Sequence, residues 1–199
     1  MLCSIRLFQK EYKIKCLQKQ GFIHDYVCFG TAGGKECKVK MIFLKKLFKH
    51  NDSDIVAVVN GTMIPPLQIK DHVFQSEMMG QTIGFVPLSD TIVSPVNGTV
   101  SMVFPTKHAV GIQGNNGISF IVHIGIDTVN LNGKGLTLFV KKGDHVKAGQ
   151  KLIDADMNYI KMQGLDSTVI LIASEFPEGL DRIDYIECTE VKEGQIINQ

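Results

Sequence analysis

The sequence predicts an all-β fold. It reads as a sandwich or barrel-like body with duplicated hairpin units and little helix, behind a basic N-terminal tail. Three observations point there. From Ile55 onward, short apolar runs alternate with Gly, Pro, Asn and Asp, the pattern of short strands and tight turns. Short sequence echoes recur along the same region. Charge also divides the chain: residues 1–50 carry eleven Lys or Arg against three Asp or Glu, and residues 51–199 carry ten against seventeen.

The elements follow in order. Residues 1–50 read as a basic, weakly ordered segment and residues 51–199 as the domain proper. Residues 1–40 show no stable period. In Met41–His50, Ile42, Phe43, Leu44, Leu47 and Phe48 can line one helical face beside Lys45, Lys46 and Lys49. Such a short basic amphipathic helix suits weak, salt-sensitive contact with an anionic membrane surface. Strands are expected at 55–59, 82–86, 99–104, 109–113, 118–124, 136–140, 151–155, 168–172 and 183–187. Turn signals between them include Asn60-Gly61, Asn97-Gly98, Asn115-Asn116-Gly117 and Asn132-Gly133. Single helical turns are expected near 75–79 and 158–163. Two echoes suggest related hairpin units: Val59-Asn60-Gly61-Thr62 with Val96-Asn97-Gly98-Thr99, and Asp71-His72-Val73 with Asp144-His145-Val146. Hairpin turn chemistry alone can also repeat Asn-Gly.

Composition sets limits. A chain of 199 residues with 44% hydrophobic content can bury one domain core and carry an appendage. An acidic body does not suit nucleic acid, whose phosphates need clustered cations. Five cysteines, none in a Cys-x-x-Cys pair, argue against a zinc ribbon and favour reduced thiols in the cytoplasm. No leader-like apolar segment with a cleavage site opens the sequence. No run reaches the roughly 18–20 apolar residues of a membrane span.

The chemistry concentrates in Gly117–Val129. On a strand, Val122, Ile124 and Ile126 share one face, which should be core, and His123 shares the other with Ile121, Gly125 and Asp127. Gly125 should leave a gap beside the imidazole, with a carboxylate nearby at Asp127. That environment suits a histidine nucleophile. A lone strand histidine can also be purely structural. A second histidine, His108, follows Thr106 at a turn between two expected strands.

The run "PVNGTVSMVFPTKHAVGI" followed by "GISFIVHIGIDTV" resembles the glucose-type IIA component of the bacterial phosphoenolpyruvate-dependent sugar phosphotransferase system. The resemblance runs from about Ile55 to about Phe176. It implies an antiparallel β-sandwich with internal duplication. It also implies a phosphocarrier, accepting a phosphoryl group from the small protein HPr on His123 and passing it to a sugar-permease IIB domain. His108 would stabilise the phosphoryl group and Thr106 would orient His108. Val73, Phe74, Met78, Met79, Phe104 and Val129 match an apolar docking surface, and Asp127 a charged rim facing a basic partner. Asn130, Ile121 and Val110 depart from the more familiar pattern of that family. Met41 is then a candidate natural start. The rival reading is a regulatory binding protein read out by its phosphorylation state.

No cofactor is implied and no metal is required. His108 and His123 could lend two ligands to an adventitious zinc, which takes four. His123 and Asp127 also match a His-x-x-x-Asp spacing used by certain zinc peptidases, but the His-x-His that accompanies it is missing. Val140–Leu152 resembles the closing hairpin of biotinyl and lipoyl carriers, of whose lysine motif Ile160-Lys161-Met162 is only a fragment.

Overall fold

The computed structural model describes residues 50–199 in full and, before them, only the backbone of four strands. The chain divides into two compact units, Met1–Lys49 and His50–Gln199. In the first, β1 (Leu2–Leu7) pairs antiparallel with β2 (Lys10–Lys15), and β3 (Phe29–Ala32) with β4 (Lys35–Lys38). These hairpins stand where the sequence offers no period. The expected helix at 41–50 lies outside the described residues, His50 excepted.

The second unit is built on an antiparallel eight-stranded sheet. Its members in chain order are β5 (Gly61–Ile64), β6 (Gln81–Pro87), β8 (Gly98–Val103), β9 (Ala109–Gly114), β10 (Ser119–Ile124), β12 (His145–Val146), β14 (Val169–Glu175) and β15 (Glu190–Val191). Across the sheet they run β12-β8-β9-β10-β14-β6-β5-β15. A three-stranded sheet places β13 (Lys151–Ala155) between β11 (Leu136–Leu138) and β7 (Thr91–Val93). Helix is confined to α1 (His72–Gln75), α2 (Met157–Met162) and two 3-10 turns, Pro66–Gln68 and Thr128–Leu131.

Strand alternation sorts the side chains. Phe120, Val122 and Ile124 of β10, with Val169, Leu171 and Ala173 of β14, enter the main core. Each large aliphatic side chain buried there contributes about 1.5–3 kcal/mol. Ile170 and Ile172 point the other way, into a smaller cluster with Ile64, Ile69, Phe74 and Ile126, against which Ile121 packs. His123 lies opposite Ile170 in the register, and Ile121 opposite Ile172. The histidine therefore stands on the sheet face that carries the smaller cluster.

The Asn-Gly echo is structural. Gly61 opens β5 and Gly98 opens β8. A Cβ on either would come within 2.2 Å of a facing carbonyl oxygen, Val86 O or Gln113 O. The Asn60 side chain accepts from Glu193 N at 2.9 Å, and Asn97 accepts from Ala148 N at 3.0 Å. Those partners lie in a second, unanticipated echo, Lys147-Ala148-Gly149-Gln150 and Lys192-Glu193-Gly194-Gln195. In each, the Gln side chain accepts from the Lys amide, at 3.1 and 3.2 Å. The strand before each pairs with the strand after each Asn: β12 with β8 and β15 with β5. The Asp-His-Val echo is not structural. Asp71 caps α1, whereas Asp144 precedes the edge strand β12.

Two expected strands are absent. Residues 55–59 are buried, but their backbone bonds are split: Val56 N reaches Pro95 O, while Ala57 N reaches Gln195 O. With bonds to two different segments they form no ladder, and the strand begins at Gly61. Within 183–187, only Tyr185 forms a bridge, to Asn198.

Gly98→Ala should destabilise the domain by about 1–3 kcal/mol, the usual cost of overpacking against backbone that cannot retreat. The check is a lower urea midpoint at unchanged slope.

Candidate functional site

Three local devices bring the site together. The first ends β10. Gly125 adopts φ +67°, and a Cβ there would lie 2.4 Å from Thr128 Cγ2 and 2.8 Å from Asp166 O. Its amide bonds to Thr168 O at 3.0 Å, and the Thr128 hydroxyl donates to Ile124 O. The space beside Gly125 is therefore filled by Thr128 and the Asp166 carbonyl, not left open beside His123 as the sequence suggested. The turn also breaks the alternation: Ile126 joins Phe74 in the smaller cluster instead of Val122 and Ile124 in the core. Asp127, at φ +59°, stands at the start of the following 3-10 turn without a side-chain capping bond and does not continue the strand.

The second device is the turn between β8 and β9. Lys107 takes φ +58°, and its amide bonds to Phe104 O at 2.8 Å. That fold-back sets Thr106 Oγ1 2.6 Å from His108 Nδ1. The Phe104 and His108 rings lie 5.1 Å apart between centroids, tilted by 59°. His108 O accepts from Ile124 N at 2.8 Å, which ties the turn to the end of β10.

The third is α1. Asp71 is its N-cap and accepts from Val73 N at 2.8 Å and Phe74 N at 3.3 Å, satisfying donors that the helix itself cannot. Phe74 then packs on His123, with centroids 5.1 Å apart.

The result is a cavity of about 270 Å³ lined by Asp71, Val73, Phe74, His108, His123, Ile126, Asp127 and Val129. The His108 and His123 rings meet edge to face, with centroids 5.0 Å apart and planes at 77°. Nδ1 of His123 is buried without a hydrogen-bond partner. The nitrogen left to meet a reactant is Nε2. Burial, and then the neighbouring His108, lower the His123 pKa to about 4, although the Gly125 backbone and Asp71 favour the protonated ring. Burial lowers His108 as well. Both rings are therefore neutral near pH 7, and the unprotonated nitrogen of each keeps its lone pair.

Of the residues singled out in sequence, the cavity gathers His108, His123, Val73, Phe74, Asp127 and Val129. Thr106 and Phe104 reach it through His108. Met78 and Met79 do not line it; they are exposed just beyond α1, at 75% and 43%. Asp71 and Ile126 were missed. The helix-cap signal of an Asp before an apolar turn was present for Asp71, but nothing local links that cap to a histidine 52 residues away. Among the described residues, no group of three or more His, Cys, Asp or Glu is placed to hold a metal ion. Nor, among them, is any helix long and apolar enough to cross a membrane.

Comparison with known proteins gives one consistent answer. A family model described as the phosphoenolpyruvate-dependent sugar phosphotransferase system, EIIA 1, matches residues 53–177. The glucose-specific EIIA component of Oceanobacillus iheyensis is 37% identical over 156 residues, covering 76% of this chain and 94% of that protein. The glucose-specific EIICBA component of Staphylococcus saprophyticus is 41% identical over 130 residues, 65% of this chain but only 19% of the relative. The chain thus spans about a fifth of the composite relative. Among solved structures, glucose permease IIA from Mycoplasma capricolum superposes with a TM-score of 0.67 at 32% identity, covering 73% of this chain and 93% of that one.

The titration of His123 should be visible in stability. Its folded pKa of about 4 lies below the ordinary histidine value near 6.5. Between those values the unfolded chain binds a proton that the native ring does not, so stability rises with pH across the window and is lost as pH falls through it. Urea unfolding from pH 7 to pH 4 should show a shallower loss for His123→Asn than for the parent.

Proposed function

Because the chain belongs to the EIIA 1 family of the phosphoenolpyruvate-dependent sugar phosphotransferase system, we propose that it is a phosphocarrier in sugar uptake, with His123 as the group that is phosphorylated. The observation that carries this reading is a neutral imidazole, enclosed at Nδ1, whose remaining nitrogen shares a cavity with a second histidine.

The chemistry is an in-line displacement. The Nε2 lone pair of His123 forms a bond to the phosphorus carried by HPr. The P–N bond of the donor breaks, and its electron pair returns to the donor nitrogen. Such transfer depends on positioning and charge stabilisation more than on covalent help from the protein. For Nε2 to be nucleophilic, the ring proton sits on Nδ1, beside the Gly125 backbone. The Thr106 hydroxyl donates to His108 Nδ1, which places the His108 proton on Nε2, where it can bond a phosphoryl oxygen. A ring used in this way usually needs its other nitrogen fixed by a partner.

Asp71 and Asp127 set the polarity of the mouth. A carboxylate repels a dianionic phosphoryl group, so their role is at the rim, facing cations on a protein partner. The exposed Val73 and Val129 supply apolar area beside them. The onward acceptor is the IIB domain of a sugar permease. In the EIICBA relatives, the component name itself joins A, B and C parts in one chain.

His123→Ala, incubated with phosphoenolpyruvate, the first enzyme of the system and HPr, should take up no acid-labile phosphate; wild-type labelling would refute the assignment. His108→Gln should still accept phosphate but pass it to a IIB domain more slowly. Losing one preorganised donor in such a site typically costs about 2.7–4 kcal/mol. Rapid-quench rates of acceptance and onward transfer separate the two effects.

A further inference from the structure

We infer that Glu77 and Gln81 are positioning residues, through which the C-terminal segment 182–198 holds the Met78–Met79 lip in the shape that a protein partner docks on. The inference rests on the carrier reading and adds to it residues that touch neither the phosphoryl group nor the partner.

The lip is the tight loop joining α1 to β6. Its two methionines are the exposed apolar side chains between the helix that carries Phe74 and the sheet. Flexible thioethers suit a surface that must fit a partner, but their backbone is not free. Glu77 sits at φ +52°, a conformation that ordinary side chains seldom adopt. Gly80 takes φ +125°, where a Cβ would lie 2.1 Å from Ala173 O. A loop held in such a shape needs support from its surroundings.

That support comes from one side chain of the loop, Glu77, from Gln81 at the start of β6, and from one distant segment. Gln81 is buried, and its amide pairs twice with the backbone of Ile183: Nε2 donates to Ile183 O at 2.8 Å, and Ile183 N donates to Oε1 at 2.7 Å. Glu77 Oε1 accepts from Thr82 N at 3.0 Å, and its other oxygen lies 3.8 Å from Arg182 Nη1. The Tyr185 hydroxyl is buried without a partner, within reach of the charges of both Glu77 and Arg182. Segment 182–198 is fixed in turn by the pairing of β15 with β5 and by Ile197 N bonding to Ile55 O at 2.8 Å. The lip is thus bonded to residues about a hundred positions away, and none of those bonds reaches His123. Losing them should change docking and leave the chemistry alone.

The test uses the full chain and phosphorylated HPr, with initial rates fitted for KM and kcat. Gln81→Leu removes both bonds to Ile183 at similar volume. Glu77→Ala removes the acceptor for Thr82 N. Glu77→Gln keeps an acceptor and removes the charge. The inference expects KM to rise roughly three- to thirtyfold in Gln81→Leu and Glu77→Ala, a span typical of residues coupled to a site they do not touch. It also expects kcat unchanged and Glu77→Gln close to the parent. If Gln81→Leu does not melt cooperatively, Gln81→Asn, a shorter amide that breaks the paired bonds to Ile183, decides in its place. Folded variants with parental KM would overturn the inference. So would equal effects of Glu77→Gln and Glu77→Ala that Arg182→Ala does not share, which would mean that the charge acts directly on the partner. A parent chain that takes no phosphoryl group would instead sink the carrier reading.

Discussion

The site depends on where β10 stops. Two residues after His123 the chain turns through a left-handed glycine, and the place a Cβ would occupy belongs to Thr128 and the Asp166 carbonyl. Had the strand continued, Ile126 would have entered the core and Asp127 would have been carried about 13 Å along the strand from His123. The turn instead brings Ile126 under the cavity, Asp127 to its mouth and Val129 to its apolar border. Thr128 secures the arrangement by donating to Ile124 O, while Ile124 N bonds to His108 O. One short stretch of backbone therefore determines the distance between the two histidines.

Desolvation does the electrical work. Enclosure disfavours the imidazolium form, and two rings at 5.0 Å disfavour charging each other. Asp71 and the Gly125 backbone pull the other way but lose to burial. An imidazole kept neutral needs no separate base before it attacks. Asp166, under the same turn, shows the opposite balance. Burial would raise its pKa, but the Thr168 donors and Lys70 outweigh it and keep the carboxylate charged. A charged group lies below the turn and a neutral one above it, each set by its immediate partners.

Much of the site was legible because it is local. Strand alternation correctly separated His123 from Val122 and Ile124, since that rule needs only the sequence and the pleat. Alternation failed at Gly125, where a glycine can end a strand or merely thin one, and the deciding atoms belong to Asp166. The strand expected at 55–59 failed for a similar reason. Its apolar run is real and buried, but its bonds are divided between Pro95 and Gln195, and no local pattern records a divided ladder. Asp71 was hidden by distance alone. Of the two echoes, Asn-Gly had a structural cause in close backbone approach, and Asp-His-Val had none. The Lys-x-Gly-Gln echo passed unseen, because the Asn partners that give it meaning lie about 50 and 130 residues away in sequence.

That duplicated pattern also shapes how the domain is made. Asn60 accepts from Glu193, 133 residues later, and Ile55 N bonds to the Asn198 side chain, 143 residues later. Contacts of such separation carry a loop-closure cost that must be met before they stabilise anything, and they slow folding. Chain emerges from the ribosome at about 5–20 residues per second. Residues 55–61 are therefore exposed for many seconds before residues 190–198 exist to pair with them. They are also among the most apolar in the domain, with Ile55, Val56, Ala57, Val58 and Val59 all buried once folded. Until then the run is bare apolar surface of the kind that chaperones exist to shield.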